Sequence, residues 1–160
     1  LGDLRDTVRH AVDLVQVRAR RQQVAIEMDM PQTAVLVEID QEQVGTVLVN
    51  LFLNALDALP HGGTVEVTLE VLPEAGIRLE IADTGPGIAP EIADRLFTPF
   101  TSTKPTGTGL GLSLSRRIIE EHGGKMTASN RSEGGACFTI TLPVEARREE
   151  PAQRLDRRPA

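Results

Sequence analysis

Apolar residues recur along this chain at two different spacings. Leu4, Val8, Ala11, Val12, Val15 and Ala19 follow a helical period, which predicts an amphipathic helix from Asp3 to about Gln22. Val24, Ile26, Met28 and Met30 then alternate with polar neighbours, as in a half-buried strand, and Pro31 ends the run. A second short strand is expected at Val35–Ile39. Asp40 suits the N-cap of a helix running to about Leu59, closed by Pro60-His61-Gly62-Gly63. Val65, Val67, Leu69 and Val71 form a third strand and, after the Pro73–Gly76 turn, Ile77, Leu79 and Ile81 form a fourth. These two are expected to pair as a hairpin with one wet face. From Asp83 to Gly109 the pattern lapses, apart from a short helix around Pro90–Leu96, and so long a stretch is usually functional. Helical spacing resumes from Leu110 to His122 and stops at Gly123-Gly124. Lys125–Asn130 and Ala136–Leu142 make a last hairpin around Glu133-Gly134-Gly135. The order α-β-β-α-β-β-loop-α-β-β implies an α+β, two-layer sandwich, with helices on one face of a mixed sheet.

Composition narrows the function. The chain has 160 residues with 17 Lys+Arg against 23 Asp+Glu, a net charge of −6. That length supports one domain, expected over 1–144, while 145–160 has almost no apolar residues and is expected to be disordered. Net acidity, four Phe and no Trp or Tyr argue against nucleic-acid binding. The longest apolar run is the four residues Ala34–Val37, far short of the roughly 18 needed for a membrane span. With no leader-like segment and no initial methionine, a cytoplasmic piece of a longer protein is expected. One cysteine, Cys137, cannot form an internal disulfide, which suits a reducing compartment; in its strand-like run it is expected in the core. His10, His61 and His122 match no zinc spacing.

Three segments carry chemistry. The second helix is apolar nearly all round except for one polar line, Thr46, Asn50, Asn54 and Asp57. Residues four apart on a helix lie within about 40° of each other, so these side chains share a face. Either they bond to neighbouring backbone, or they face a polar ligand and offer amide oxygens to a hard cation such as Mg²⁺. Asp83-Thr84-Gly85-Pro86-Gly87-Ile88 is either a tight turn or a fixed carboxylate beside a space cleared of side chains. A carboxylate there could accept from the exocyclic amine of adenine and would oppose the carbonyl of guanine. Gly107-Thr108-Gly109-Leu110-Gly111-Leu112 leads into the third helix, whose bare amides would favour phosphate, although a glycine hinge has the same look. Just upstream, Phe97-Thr98-Pro99-Phe100 and Lys104 read as a lid with aromatic anchors and one cation able to meet a phosphate.

In this order the segments resemble the ATP-binding catalytic domain of bacterial sensor histidine kinases, of the GHKL (Bergerat-fold) superfamily. That fold is shared with type II topoisomerases, MutL-type mismatch-repair ATPases and heat-shock chaperone ATPases. Asn50–Ala55 looks like the N box, Asp83–Ile88 the first glycine box, Phe97–Lys104 the F box, and Gly107–Leu112 the second glycine box. The match runs to about Pro143, and the short Thr101-Ser102-Thr103-Lys104 lid is similar to the nitrogen-regulation and dicarboxylate-sensor type.

The resemblance implies a set of roles. Asn54 would ligate Mg²⁺ between the phosphates of ATP, with Asn50 on the triphosphate side and Lys104 reaching the terminal phosphate. Asp83 would hold the adenine amine, and Gly85 and Gly87 would admit the base. Gly107, Gly109 and Gly111 would flank the phosphates, and Ile88, Phe97, Phe100, Thr103, Thr108, Leu110 and Leu112 would line the nucleotide. In hydrolysing relatives a Glu four residues before the metal-binding Asn activates water; here that position is Asn50, which is no base near neutral pH. The terminal phosphoryl should therefore pass to a histidine on a dimerisation and phosphoacceptor domain, with a response regulator downstream. A non-catalytic nucleotide-sensing module and an ATP hydrolase are the alternatives. Asp57 departs from the basic residue that many such kinases carry there. None of the three histidines has the acidic follower of a phosphoacceptor, so each is expected to be structural. The fragment is expected to be monomeric and its parent a homodimer, with the phosphoacceptor helices before Leu1.

Overall fold

The computed structural model describes residues 1–101 and 111–144. The chain opens with β1 (Gly2–Asp3), α1 (Leu4–Arg21), β2 (Val24–Asp29), β3 (Leu36–Val37) and α2 (Gln41–Asp57). It continues through β4 (Gly63–Leu72), β5 (Gly76–Asp83), α3 (Pro90–Ala93), α4 (Gly111–Glu121), β6 (Lys125–Asn130) and β7 (Ala136–Leu142). Five strands form one sheet in the order β2-β4-β5-β7-β6, with β2 and β4 parallel and the other neighbours antiparallel.

Strand alternation decides which face meets the helices. Val65, Val67 and Leu69 of β4, Ile77, Leu79 and Ile81 of β5, and Phe138, Ile140 and Leu142 of β7 are buried in register with one another. Against them lie α1 and α2, packed together, and α4 beside α2. Phe52, Leu48, Leu51 and Leu56 of α2 are almost wholly buried, so the helix that was apolar nearly all round is the central one. The opposite sheet face carries Glu66, Thr68, Arg78, Glu80, Thr139 and Thr141, all half-buried, which is the wet side of the β4–β5 hairpin.

Two expectations change. The strand expected at Val35–Ile39 shrinks to Leu36–Val37 and pairs with β1, outside the five-stranded sheet. Its partner is only two residues long because Asp3 turns at once into the N-cap of α1, accepting from the Arg5 amide at 3.1 Å. Cys137 is not in the core. Its neighbours Ala136 and Phe138 take the helix-facing positions, so period-two alternation puts the thiol, half-buried, on the polar face. Burial there pushes the thiol pKa up. Among the described residues no helix is long and apolar enough to cross a membrane. The tail expected to be disordered, 145–160, lies outside the described residues.

Candidate functional site

Asp83 is the last residue of β5 and takes a helix-facing position, where it is only 4% exposed. Its Oδ1 accepts from the amides of Gly85 at 2.9 Å and Ala136 at 3.3 Å. Among the described residues these amides fix Oδ1, and no donor meets Oδ2. Thr84 ties the same strand end to β4: its amide donates to the Thr64 carbonyl at 3.2 Å and its hydroxyl accepts from the Thr64 amide at 3.0 Å.

Gly85 sits against the end of α2. A β-carbon on it would lie 2.9 Å from the Ala58 carbonyl oxygen and 3.0 Å from Asp83 Oδ1, so the space beside the carboxylate exists only with glycine. Two turns back along α2, Asn50 Nδ2 donates to Ser115 Oγ of α4 at 3.1 Å, and Ser115 is buried. A β-carbon on Gly111, the first residue of α4, would come within 2.7 Å of Asn50 Oδ1. Asn50, Asn54 and Ala58 are spaced four apart, so α2 presents a line about 12 Å long from the start of α4 to the Asp83–Gly85 corner. Asn54, half-buried, stands midway along it. Within the polar line, Asn50 is tied to Ser115 of α4, and Asn54 lies one turn further along the same face. The outer members have partners in the protein: the Thr46 hydroxyl donates to the Glu42 carbonyl at 3.0 Å within α2, and Asp57 pairs with Arg18 of α1.

Phe97 is half-buried, edge-on to Phe138 with ring centroids 6.4 Å apart, and the Arg116 guanidinium stacks 5.1 Å from its centroid. It anchors the segment that follows α3. Phe100 does not: its φ of 66° turns the chain outward and leaves it 79% exposed. Ile88 and Leu112 pack against the core, and Gly87 supplies a turn at φ +84°. Thr103, Lys104, Gly107, Thr108, Gly109 and Leu110 lie outside the described residues.

Sequence reasoning missed Ala58, Ser115, Asn130 and Arg131. Ser115 had a signal, since it lies one turn beyond Gly111 on the same helix face. The others had none, because their contacts join segments far apart in the chain.

Residues 39–146 match the family described as histidine kinase-, DNA gyrase B-, and HSP90-like ATPase. The chain is 34% identical over 149 residues to the sensor histidine kinase ZraS of Escherichia coli, covering 93% of this chain and 32% of that protein. It is 44% identical over 128 residues to the sensor protein FixL of Bradyrhizobium diazoefficiens, covering 79% of this chain and 25% of that one. It therefore spans about a third or less of the curated relatives it matches. The nucleotide-free catalytic domain of histidine kinase ThkA superposes with a TM-score of 0.81 at 33% identity, covering 89% of this chain and 93% of that one. ThkA has also been solved in complex with a response regulator, TrrA. A sheet that ends in a pinned carboxylate, an asparagine line on the central helix and these likenesses converge: the chain belongs to the histidine kinase-, DNA gyrase B- and HSP90-like ATPase family, on its sensor histidine kinase branch.

Proposed function

We propose that this domain binds ATP with Mg²⁺ along the α2 line and delivers the γ-phosphoryl group to a histidine on a separate dimerisation and phosphoacceptor domain. The observation that carries this reading is Asn50, a neutral amide tied to Ser115 where α4 begins. Asp83 Oδ2 accepts from the adenine amine, and Gly85 leaves room for the ring. Asn50 and Asn54 offer amide oxygens, neutral hard donors that suit a cation already chelated by phosphates. Asn54 would hold that Mg²⁺, which supplies charge stabilisation to the phosphoryl oxygens during transfer. Asn50 cannot take a proton from water near neutral pH, so this end of the line favours a protein nucleophile over hydrolysis.

On the resemblance, Lys104, Thr103 and the Gly107–Gly109 segment complete the phosphate end, with Phe97, Phe100, Thr108, Leu110 and Leu112 around it. The Asp57–Arg18 pair gives the acidic residue at that position a partner on α1, and phosphotransfer in trans decides against a non-catalytic nucleotide-sensing module. The parent is a cytoplasmic or membrane-anchored homodimer, and a response regulator receives the phosphoryl group, as the ThkA complex suggests by analogy.

Calorimetric titration with ADP and ATP, with and without Mg²⁺, tests the first half. Mg²⁺-dependent ATP binding that Asp83→Asn abolishes is expected, and no binding at millimolar nucleotide would refute it. Phosphohistidine formed on phosphoacceptor helices supplied in trans is expected for the second half. Steady phosphate release without an acceptor would instead make this domain a hydrolase.

A further inference from the structure

The turn between β6 and β7 holds both ends of the Asp83–Ile88 loop. Arg131, 17% exposed, donates through Nη1 to the Asp83 carbonyl at 3.2 Å and through Nη2 to Glu66 and Glu133, each at 3.1 Å. Its amide donates to the Gly135 carbonyl at 2.8 Å, which closes the turn. Gly135 has a φ of +96°, and any side chain there would overlap the Asp83 carbonyl, so the turn lies directly on the backbone of the carboxylate residue. The next amide, of Ala136, donates to Asp83 Oδ1. At the other end of the loop, Asn130 Oδ1 accepts from the Ile88 amide at 2.6 Å and Nδ2 donates to the Ile88 carbonyl at 3.2 Å.

A carboxylate discriminates adenine from guanine only while it cannot turn away from the guanine carbonyl. Here the main chain, one oxygen and the far end of the loop are each fastened from the same turn. We propose that Arg131, with Asn130, is a positioning residue for base selectivity: it fixes the Asp83 main chain so that Oδ2, not Oδ1, meets the base. This rests on Asp83 being the adenine contact. A loosened turn lets the carboxylate rotate and accommodate guanine, so selectivity falls by more than affinity for the adenine nucleotide does.

The test is competition binding of ADP and GDP to the full chain, with thermal unfolding measured in parallel, for wild type, Arg131→Gln, Arg131→Lys and Asp83→Asn. The ADP-over-GDP preference is expected to fall roughly tenfold in Arg131→Gln, the scale of a displacement under 1 Å in a positioned group. Arg131→Lys keeps the positive charge on a single donor group and is expected to lose less; it also carries the test if the Gln variant fails to fold. A lower unfolding temperature with an unchanged preference in both Arg131 variants overturns the proposal and leaves the turn a scaffold. Asp83→Asn is expected to lose ADP binding; ADP affinity and preference both unchanged in that variant overturn the adenine reading itself, so the two failures are told apart.

Discussion

In the proposed site Asp83 supplies the acceptor and Gly85 the space beside it. Replacing Gly85 with alanine puts a methyl 2.9 Å from the Ala58 carbonyl oxygen and 3.0 Å from the carboxylate it is meant to leave open. Overpacking of this kind costs about 1–3 kcal/mol. Gly85→Ala is therefore expected to lower the urea midpoint and weaken ADP binding at least tenfold; an unaltered ADP affinity in calorimetry would show that the base does not enter there. Side chains that share a helix face in the sequence can still have separate duties. Asp57 lies on the polar line of α2 by spacing, yet its partner is Arg18 of α1, a contact that no periodicity in α2 reveals.

The elements that frame the site are α2 and α4, and they are joined at two heights. Near the glycine end of α4, Asn50 meets Ser115. At its other end, His122 Nε2 accepts from the Asp40 amide at 3.1 Å, and Nδ1 lies 2.7 Å from the Ile118 carbonyl. With Nε2 as the acceptor, Nδ1 is the nitrogen placed to donate to that carbonyl. The histidine expected to be structural thus caps one helix and links it to the start of another. Asp40 serves the same junction: its Oδ1 accepts from the amides of Glu42 and Gln43, both at 3.0 Å. Asp40→Ala is expected to lower stability by about 1 kcal/mol, as for other lost N-caps, with little change in the slope of the urea transition. A midpoint equal to wild type would mean that solvent caps α2 equally well.

For the whole molecule, the N-terminal edge is closed by one ion pair. Asp3 and Arg5 are joined through Nη2 at 2.6 Å, and Arg5 Nη1 donates on to the Gln32 carbonyl at 2.6 Å, while Asp3 Oδ1 accepts from the Val35 amide at 3.1 Å. The Arg5 guanidinium, then the Val35 and Arg5 amides, lower the Asp3 pKa from 3.8 to about 2 against an opposing effect of burial. A carboxylate depressed on folding adds stability above its unfolded pKa and loses it as pH falls through the folded one. Wild type is therefore expected to exceed Asp3→Asn in unfolding temperature near neutral pH, with the gap narrowing from about pH 4 toward about pH 2. A gap constant over that range would show that the pair makes no pH-dependent contribution. The sequence by itself determined the helix order and six of the seven strands, all but β1, because period-two and period-3.6 burial is written into neighbouring residues. It also placed Asp83 at a strand end and Asn50 and Asn54 on one helix face, residue types that are costly to bury without a partner. Only the tertiary structure decided that β3 leaves the main sheet, that Cys137 faces away from the core, and that Arg131 and Asn130 fasten the carboxylate. Each of those depends on which distant segment lies alongside, and local spacing carries no record of that.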